Sequence, residues 1–148
     1  MPPEMLDEAL RLDNQLCFPL YAAARKIVGA YTPALKPLGL TYTQYLVFLV
    51  LWEQDDLPMG EVCRRLRLDS GTLTPVLKKL EAEGYLTRTR SAEDERVVTL
   101  RLTDAGHALK RQVAFVPMQV AGTVKLSPED AAQLYTLLYR FLDAEGEA

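Results

Sequence analysis

Leu73, Val76, Leu77 and Leu80 recur at helical spacing and define one apolar face, while a few residues later the pattern switches to strict alternation. Asp69 or Ser70 can accept an orphan N–H of the first turn and so mark the start of this helix, and Gly84, tolerant of a left-handed cap, marks its end. Half a revolution away lie Gly71, Thr74, Pro75, Lys78 and Ala82, with Thr72 and Lys79 at the margins. That second face is small, hydroxylic and basic. Small side chains let a helix sink into a major groove, hydroxyls bond base edges or phosphates, and lysines contact phosphate or guanine. An ordinary surface helix would carry a similar stripe, so the helix alone does not decide its role. The segments Leu86 to Arg90 and Arg96 to Leu102 alternate apolar and polar residues around the polar turn Ser91-Ala92-Glu93-Asp94-Glu95, which predicts a hairpin. A capped helix feeding a basic hairpin is the layout of a DNA-reading winged helix.

The remaining apolar pattern is helical. A first stretch is expected from about residue 6 to 35, bent or interrupted near Pro19 and ending before Pro37 and Gly39. Thr41 followed three residues later by Gln44 fits a capping box, opening a helix through Tyr45 to Trp52. Asp55-Asp56-Leu57-Pro58 is read as the opening of a short helix reaching Arg67. A long helix is expected after Thr103-Asp104, running towards Val116, and a last one starting at Ser127-Pro128-Glu129-Asp130, with a capping serine, proline in the first turn, and Leu134, Leu137, Leu138, Phe141 and Leu142 as its apolar stripe. The fold class expected is therefore mainly α with a small β-wing: a winged helix-turn-helix, about residues 41–102, between N- and C-terminal dimerisation helices at about 6–35 and 104–144, all in one domain spanning 1–148. The outer helices are more apolar than a core of this size needs for itself. They predict a homodimer, although packing on the same chain would also cover them.

Charge sharpens this picture. The 148 residues carry a net charge of −3, a poor total for a DNA binder, yet residues 64–101 hold nine basic and six acidic side chains, leaving eight basic and fourteen acidic elsewhere. Phosphate attraction depends on where positive charge lies, so a local +3 against −6 favours one DNA face. Within it the candidate DNA contacts are Ser70, Gly71, Thr72, Thr74, Pro75, Lys78, Lys79, Arg88, Arg90, Asp94 and Arg96. Arg96 at the hairpin tip suits a narrow, A·T-rich minor groove, whereas Asp94 by its charge does not suit DNA. A solvated loop tip is the plain alternative.

Other chemistry is sparse. No apolar run approaches the roughly 20 residues of a membrane span, and the start Met1-Pro2-Pro3-Glu4 lacks a signal-peptide pattern, so an intracellular, cytoplasmic protein with no membrane partner is expected. One histidine, His107, and two cysteines, Cys17 and Cys63, form no zinc pattern and no disulfide framework. No phosphate loop or nucleophile elbow occurs, and no cofactor or metal is expected.

Cys17 is the one candidate for reactive chemistry. On a helix, Tyr21 and Tyr31 share its face, and a phenolic O–H aimed at sulfur stabilises the thiolate, the form that attacks a peroxide. Fourteen residues rise about 21 Å along a straight helix, so Tyr31 does not reach Cys17 of its own chain without a sharp fold, but it could reach that of an antiparallel partner. A free cysteine is more often a small buried hydrophobe, which is how Cys63 reads.

The Leu68-Asp69-Ser70-Gly71-Thr72-Leu73-Thr74-Pro75 start, the Ser91-Ala92-Glu93-Asp94-Glu95-Arg96 wing and the Leu102-Thr103-Asp104-Ala105-Gly106 exit resemble the MarR family of bacterial repressors. Leu12-Asp13-Asn14-Gln15-Leu16-Cys17-Phe18, Tyr21, Tyr31 and Leu40-Thr41-Tyr42-Thr43-Gln44-Tyr45 are similar to its organic hydroperoxide resistance regulators, over roughly residues 10–142. The resemblance implies a homodimeric repressor, not an enzyme, that leaves a pseudo-palindromic double-stranded operator when an organic hydroperoxide oxidises Cys17. It implies that Tyr31 and Tyr42 of the second subunit bond the sulfur, alongside Tyr21, and that Asp94 shapes the wing to aim Arg96. Some members carry a resolving cysteine in the C-terminal half. None follows Cys63 here, so a low-molecular-weight thiol is the expected partner of oxidised Cys17. Two other readings stay open: a MarR-type repressor released by a small phenolic or lipophilic ligand, and a thiol peroxidase, against which Arg25, two turns from Cys17, is the nearest cation.

Overall fold

In the computed structural model, which describes residues 1–144, the chain runs α1 (Pro3–Ala9), α2 (Cys17–Leu35), α3 (Tyr42–Glu53), β1 (Leu57–Pro58), α4 (Met59–Leu66), α5 (Ser70–Ala82), β2 (Leu86–Arg90), β3 (Val98–Leu102), α6 (Asp104–Val113), α7 (Val116–Ala121) and α8 (Pro128–Asp143). It is mainly α with a small β-wing, as expected. The predicted caps form because each side chain lies one residue before orphan amides. The Thr41 hydroxyl oxygen accepts from the Gln44 amide at 3.2 Å while Gln44 Oε1 accepts from the Thr41 amide at 2.9 Å, a complete capping box. Asp69, Thr103 and Ser127 cap α5, α6 and α8 in the same manner. Residues 145–148 of the expected 1–148 domain lie outside the described residues.

Four expectations need correction. The first helical stretch breaks at residues 10–16, where a 3-10 turn (Leu12–Asn14) intervenes, and not at Pro19. Pro19 lies in the first turn of α2, where the missing N–H would have had no partner, so it neither bends the helix nor reshapes it. Leu57 and Pro58, read as a helix opening, form a short strand instead: Asp56 at φ 62° turns the chain, Leu57 pairs with Leu100, and α4 starts only at Met59. Proline suits this edge strand because it donates to no ladder. The second wing strand begins at Val98, leaving Arg96 in the loop, and the helix expected to run towards Val116 ends at Val113 before the separate α7.

The sheet has the order β1-β3-β2, all antiparallel, with Leu86 opposite Leu102 and Arg90 opposite Val98. One core holds the unit together, with Val47, Phe48, Val62, Leu73, Leu77, Leu80, Leu100 and Val116 fully buried. Trp52 stacks on Phe48, with ring centroids 5.1 Å apart, and donates its indole N–H to the Gly106 carbonyl at 3.0 Å, locking α3 to α6. A glycine is required at 106, since a Cβ there would lie 2.2 Å from the Tyr85 carbonyl oxygen. Gly84 takes φ 82° to reverse the chain from α5 into the wing.

Candidate DNA interface and sensor cysteine

α5 presents two unlike faces. Leu73, Leu77 and Leu80 are buried in the core, whereas Ser70, Gly71, Thr72, Pro75, Lys78 and Lys79 are exposed and Thr74 is half-buried. Asp69 Oδ1 accepts the Thr72 amide at 2.7 Å, which holds its carboxyl below the usual carboxylate range. The Thr74 hydroxyl donates to the Ser70 carbonyl at 2.6 Å, so only its lone pairs remain for DNA. Neither lysine makes an ion pair among the described residues.

The wing is braced to this helix. Glu81 of α5 accepts from the Arg88 amide at 3.0 Å and from its guanidinium at 3.2 Å and 3.3 Å, and these bonds keep the glutamate carboxyl low. Arg88 is half-buried in that contact, so it sets the angle between helix and hairpin rather than extending from them. No local signal in the sequence pairs Arg88 with Glu81, seven positions apart across a turn. Arg90 donates to the Glu95 carbonyl at 2.8 Å. Asp94 turns inward: its Oδ1 accepts from the Arg96 amide at 3.0 Å and from Nε at 3.1 Å, its Oδ2 from Nη2 at 3.3 Å, and its carboxyl is held low as a result. The Arg96 side chain is 90% exposed at the tip, oriented by that carboxylate.

Cys17 is the first residue of α2 and is exposed, among the exposed Leu16, Phe18, Leu20 and Tyr21. The unpaired amides of a first turn favour negative charge nearby. Tyr21 lies one turn on with its ring under the Arg25 guanidinium, 5.6 Å from the centroid, and makes no hydrogen bond to Cys17. Tyr31 and Tyr42 sit together far from the sulfur, with centroids 4.8 Å apart, at the other end of α2. Tyr45 completes this cluster at 5.4 Å and 6.1 Å. Tyr45 was not among the expected site residues; it is buried, and burial with its two tyrosine neighbours pushes its phenol up to about 12. Tyr42 is raised too, by burial first and then by Tyr31. One chain therefore brings Tyr31 and Tyr42 together but does not bring either to Cys17. Cys63 is half-buried in α4, and burial, with the charge of Asp69, pushes its thiol up, away from the reactive thiolate. Among the described residues no cluster of His, Cys, Asp and Glu could hold a metal ion, and no single helix is long and apolar enough to cross a membrane.

A narrow basic helix held at a set angle to an arginine-tipped hairpin is shaped to lie along a DNA groove, and it defines the class: a winged-helix transcriptional regulator. The chain is 46% identical, over 134 residues, to the organic hydroperoxide resistance transcriptional regulator of Bacillus subtilis (strain 168), covering 90% of this chain and 91% of that one. It belongs to the MarR family of winged-helix regulators, within the organic hydroperoxide resistance group. The family model of the transcriptional regulator SarA/Rot matches residues 30–113, from the end of α2 through α6. Among solved structures it is similar to AbfR of Staphylococcus epidermidis. Reduced AbfR bound to DNA gives a TM-score of 0.77 at 35% identity, covering 94% of this chain and 96% of that one. Overoxidised AbfR bound to DNA gives 0.75 at 36%, covering 92% and 96%. Disulfide-formed AbfR gives 0.64 at 35%, covering 96% and 100%.

Proposed function

We propose that this regulator is a homodimeric, cytoplasmic repressor that holds a pseudo-palindromic operator while Cys17 is reduced and releases it once an organic hydroperoxide has oxidised that sulfur. The observation that carries the reading is the placement of Cys17 at an exposed, apolar-rimmed helix start, with the tyrosines that suit it gathered at the far end of the same helix. Only a second, antiparallel copy closes that gap, and the exposed apolar residues of α1, α2 and α8 supply the surface for it.

The chemistry balances without a metal. The Cys17 thiolate attacks the distal oxygen of the hydroperoxide, the O–O bond breaks, and the alkoxide leaves with a proton as the alcohol. Sulfur loses two electrons and becomes sulfenic acid. A low-molecular-weight thiol then condenses with it, forming a mixed disulfide and releasing water. Phenolic donors from Tyr31 and Tyr42 of the second copy, with Tyr21, favour the thiolate. The apolar rim favours a lipophilic peroxide. Sulfenic acid changes the sulfur little, whereas the added thiol is bulky, and packed interfaces answer bulk by moving between discrete arrangements. The AbfR structures agree with this order, since its overoxidised form is a DNA complex. Cys17 and Cys63 are this chain's only cysteines and Cys63 is half-buried in the reading unit, which favours an external thiol over an intersubunit disulfide.

On DNA, Ser70, Gly71, Thr72, Thr74 and Pro75 face the major groove, Lys78 and Lys79 the phosphates, and Arg96 the minor groove, with Asp94 aiming it and Arg88 and Arg90 shaping the wing behind it. The test is DNA-binding anisotropy against added cumene hydroperoxide with a small thiol present. The parent protein releases DNA, Cys63→Ser follows the parent, and Cys17→Ser keeps its DNA; release by Cys17→Ser sinks the mechanism.

A further inference from the structure

Arg67 occupies a backbone conformation that glycine would take more easily. It caps α4 at φ 56°, ψ 38°, in the left-handed region, two residues before Asp69, the cap of α5. Among the described residues the other non-glycine residue with positive φ is Asp56, a type whose short polar side chain suits that region. Arginine has no such excuse, and strain retained at one residue directs attention to its side chain.

That side chain reaches the last turn of α8. Nη1 donates to the Leu142 carbonyl at 3.1 Å, Nη2 donates to Asp143 Oδ1 at 2.6 Å, and the guanidinium lies 5.9 Å from the Tyr139 ring centroid. A helix C-terminus leaves carbonyls unpaired and favours a cation, so the grip is on the part of α8 best suited to accept it. Apart from the Ser127 cap on the Asp130 amide, among the described residues these are the only side-chain hydrogen bonds between α8 and the rest of the chain. The turn that carries Arg67 has no slack. Its amide bonds the Arg64 carbonyl, the Leu68 amide bonds the Cys63 carbonyl, and the Asp69 carboxylate holds the Thr72 amide.

We propose that Arg67 is a positioning residue coupling α8 to the recognition helix, so that a shift of the dimerisation helices re-aims α5. This rests on the oxidation-released dimer proposed above. Both partners of the ion pair are about half exposed, at 47% and 61%, so the contact contributes little to stability; what it fixes is geometry, through a forked donor on two adjacent acceptors. A movement of the α8 terminus is delivered two residues upstream of the α5 cap, at the end of the helix that enters the groove.

Two variants separate coupling from folding. Arg67→Gly relieves the backbone and removes the grip, and Arg67→Lys keeps the charge but loses the fork. The full-length proteins are titrated, reduced and fully oxidised by cumene hydroperoxide with a small thiol, against a duplex selected by the parent protein from a random pool. Thermal midpoints are recorded, and Cys17 oxidation is followed by intact mass. The ratio of oxidised to reduced Kd, on the order of tenfold to a hundredfold for a coupling of ordinary size, falls at least about fivefold in Arg67→Gly and partway in Arg67→Lys. The oxidation rate stays at the parent value and the midpoint does not fall. A ratio equal to the parent's, or one that falls only together with the midpoint, overturns the proposal. A parent protein that kept DNA after oxidation would remove the redox reading, and a second measurement then decides the coupling. Because coupling is reciprocal, DNA slows amide exchange over residues 139–143 of the parent and leaves it unchanged in Arg67→Gly; equal slowing in both overturns it.

Discussion

The recognition helix α5 buries Leu73, Leu77 and Leu80 completely, whereas α8, also amphipathic, leaves Leu134, Leu137, Phe141 and Leu142 between 46% and 66% exposed. The reading unit also closes its own polar accounts, with α5 capped by Asp69, the wing braced by Arg88 on Glu81, and the loop tied by Asp94 to Arg96. The sensor region does neither. Cys17 is exposed and its expected tyrosines lie elsewhere. One copy of the chain thus completes the part that touches DNA and leaves unfinished the part proposed to decide when. In the proposed dimer such a surface suits a switch, because what happens there moves two reading heads relative to each other without unfolding either.

The comparison breaks most sharply at α8. Leu137→Glu puts a charge in the middle of this stripe, at a position 55% exposed in the single chain. The expected result is a folded monomer by sedimentation, with near-parental ellipticity, whose operator affinity drops at least about 10³-fold towards the non-specific level because half-sites are no longer read together. A dimer with parental affinity would mean that α8 is not the missing surface.

The tyrosine cluster lies on the boundary between the two regions, and Tyr45 is its buried member. An unfolded phenol ionises near pH 10, while Tyr45 in the fold ionises at about 12. Its contribution to stability is therefore complete below pH 10 and is lost as pH rises towards 12, because over that window the unfolded chain ionises and the folded one does not. A shift of about two units corresponds to roughly 2–3 kcal/mol at most. Urea midpoints between pH 9 and 12 should fall steeply for the parent and less steeply for Tyr45→Phe, with Tyr42 keeping part of the slope. Identical slopes would place the titration elsewhere.

What could be read from the sequence follows the same division. The capping residues Thr41, Asp69 and Ser127 were legible because a cap and its amides lie within three positions of each other. The wing was legible as an alternation. β1 was not, because two residues have no period and the strand exists only by pairing with residues 99 and 100, more than forty positions away. Pro19 misled for a related reason: a proline's effect depends on its place in the helix, and the start of α2 is set by the break at residues 10–16. At the site, Arg96 stood out by its place in a turn, while Arg88, which looks equivalent by composition, is engaged by a glutamate across that turn. Tyr42 was named through a family likeness, whereas the distance of Tyr31 from Cys17 along α2 follows from helical rise alone.

Arg96 tests how much of the reading unit is shape and how much is contact. Arg96→Ala removes the exposed guanidinium but leaves the wing hydrogen bonds between Ser91 and Val97, and between Val97 and Asp94, in place. Affinity for the selected duplex should fall about tenfold at physiological salt, more for duplexes with A·T-rich flanks than for G·C-rich ones. Parental affinity on both would remove the wing from the interface.

The smallest effect expected is at Lys78 and Lys79. Both are exposed on the outer side of α5, and neither is engaged by an acidic side chain among the described residues, so their charge is available to phosphate. A phosphate contact contributes mainly through released counterions, which makes it visible in salt dependence before it is visible in specificity. Lys78→Ala and Lys79→Ala should each lower the slope of log K against log salt by about one unit and weaken operator and random duplexes alike. If one of them instead lost discrimination while keeping its slope, that lysine would read a base edge, with guanine its natural partner, and α5 would sit deeper in the groove than a phosphate-tracking helix. If both kept slope and affinity, α5 would not be the element that enters the groove at all.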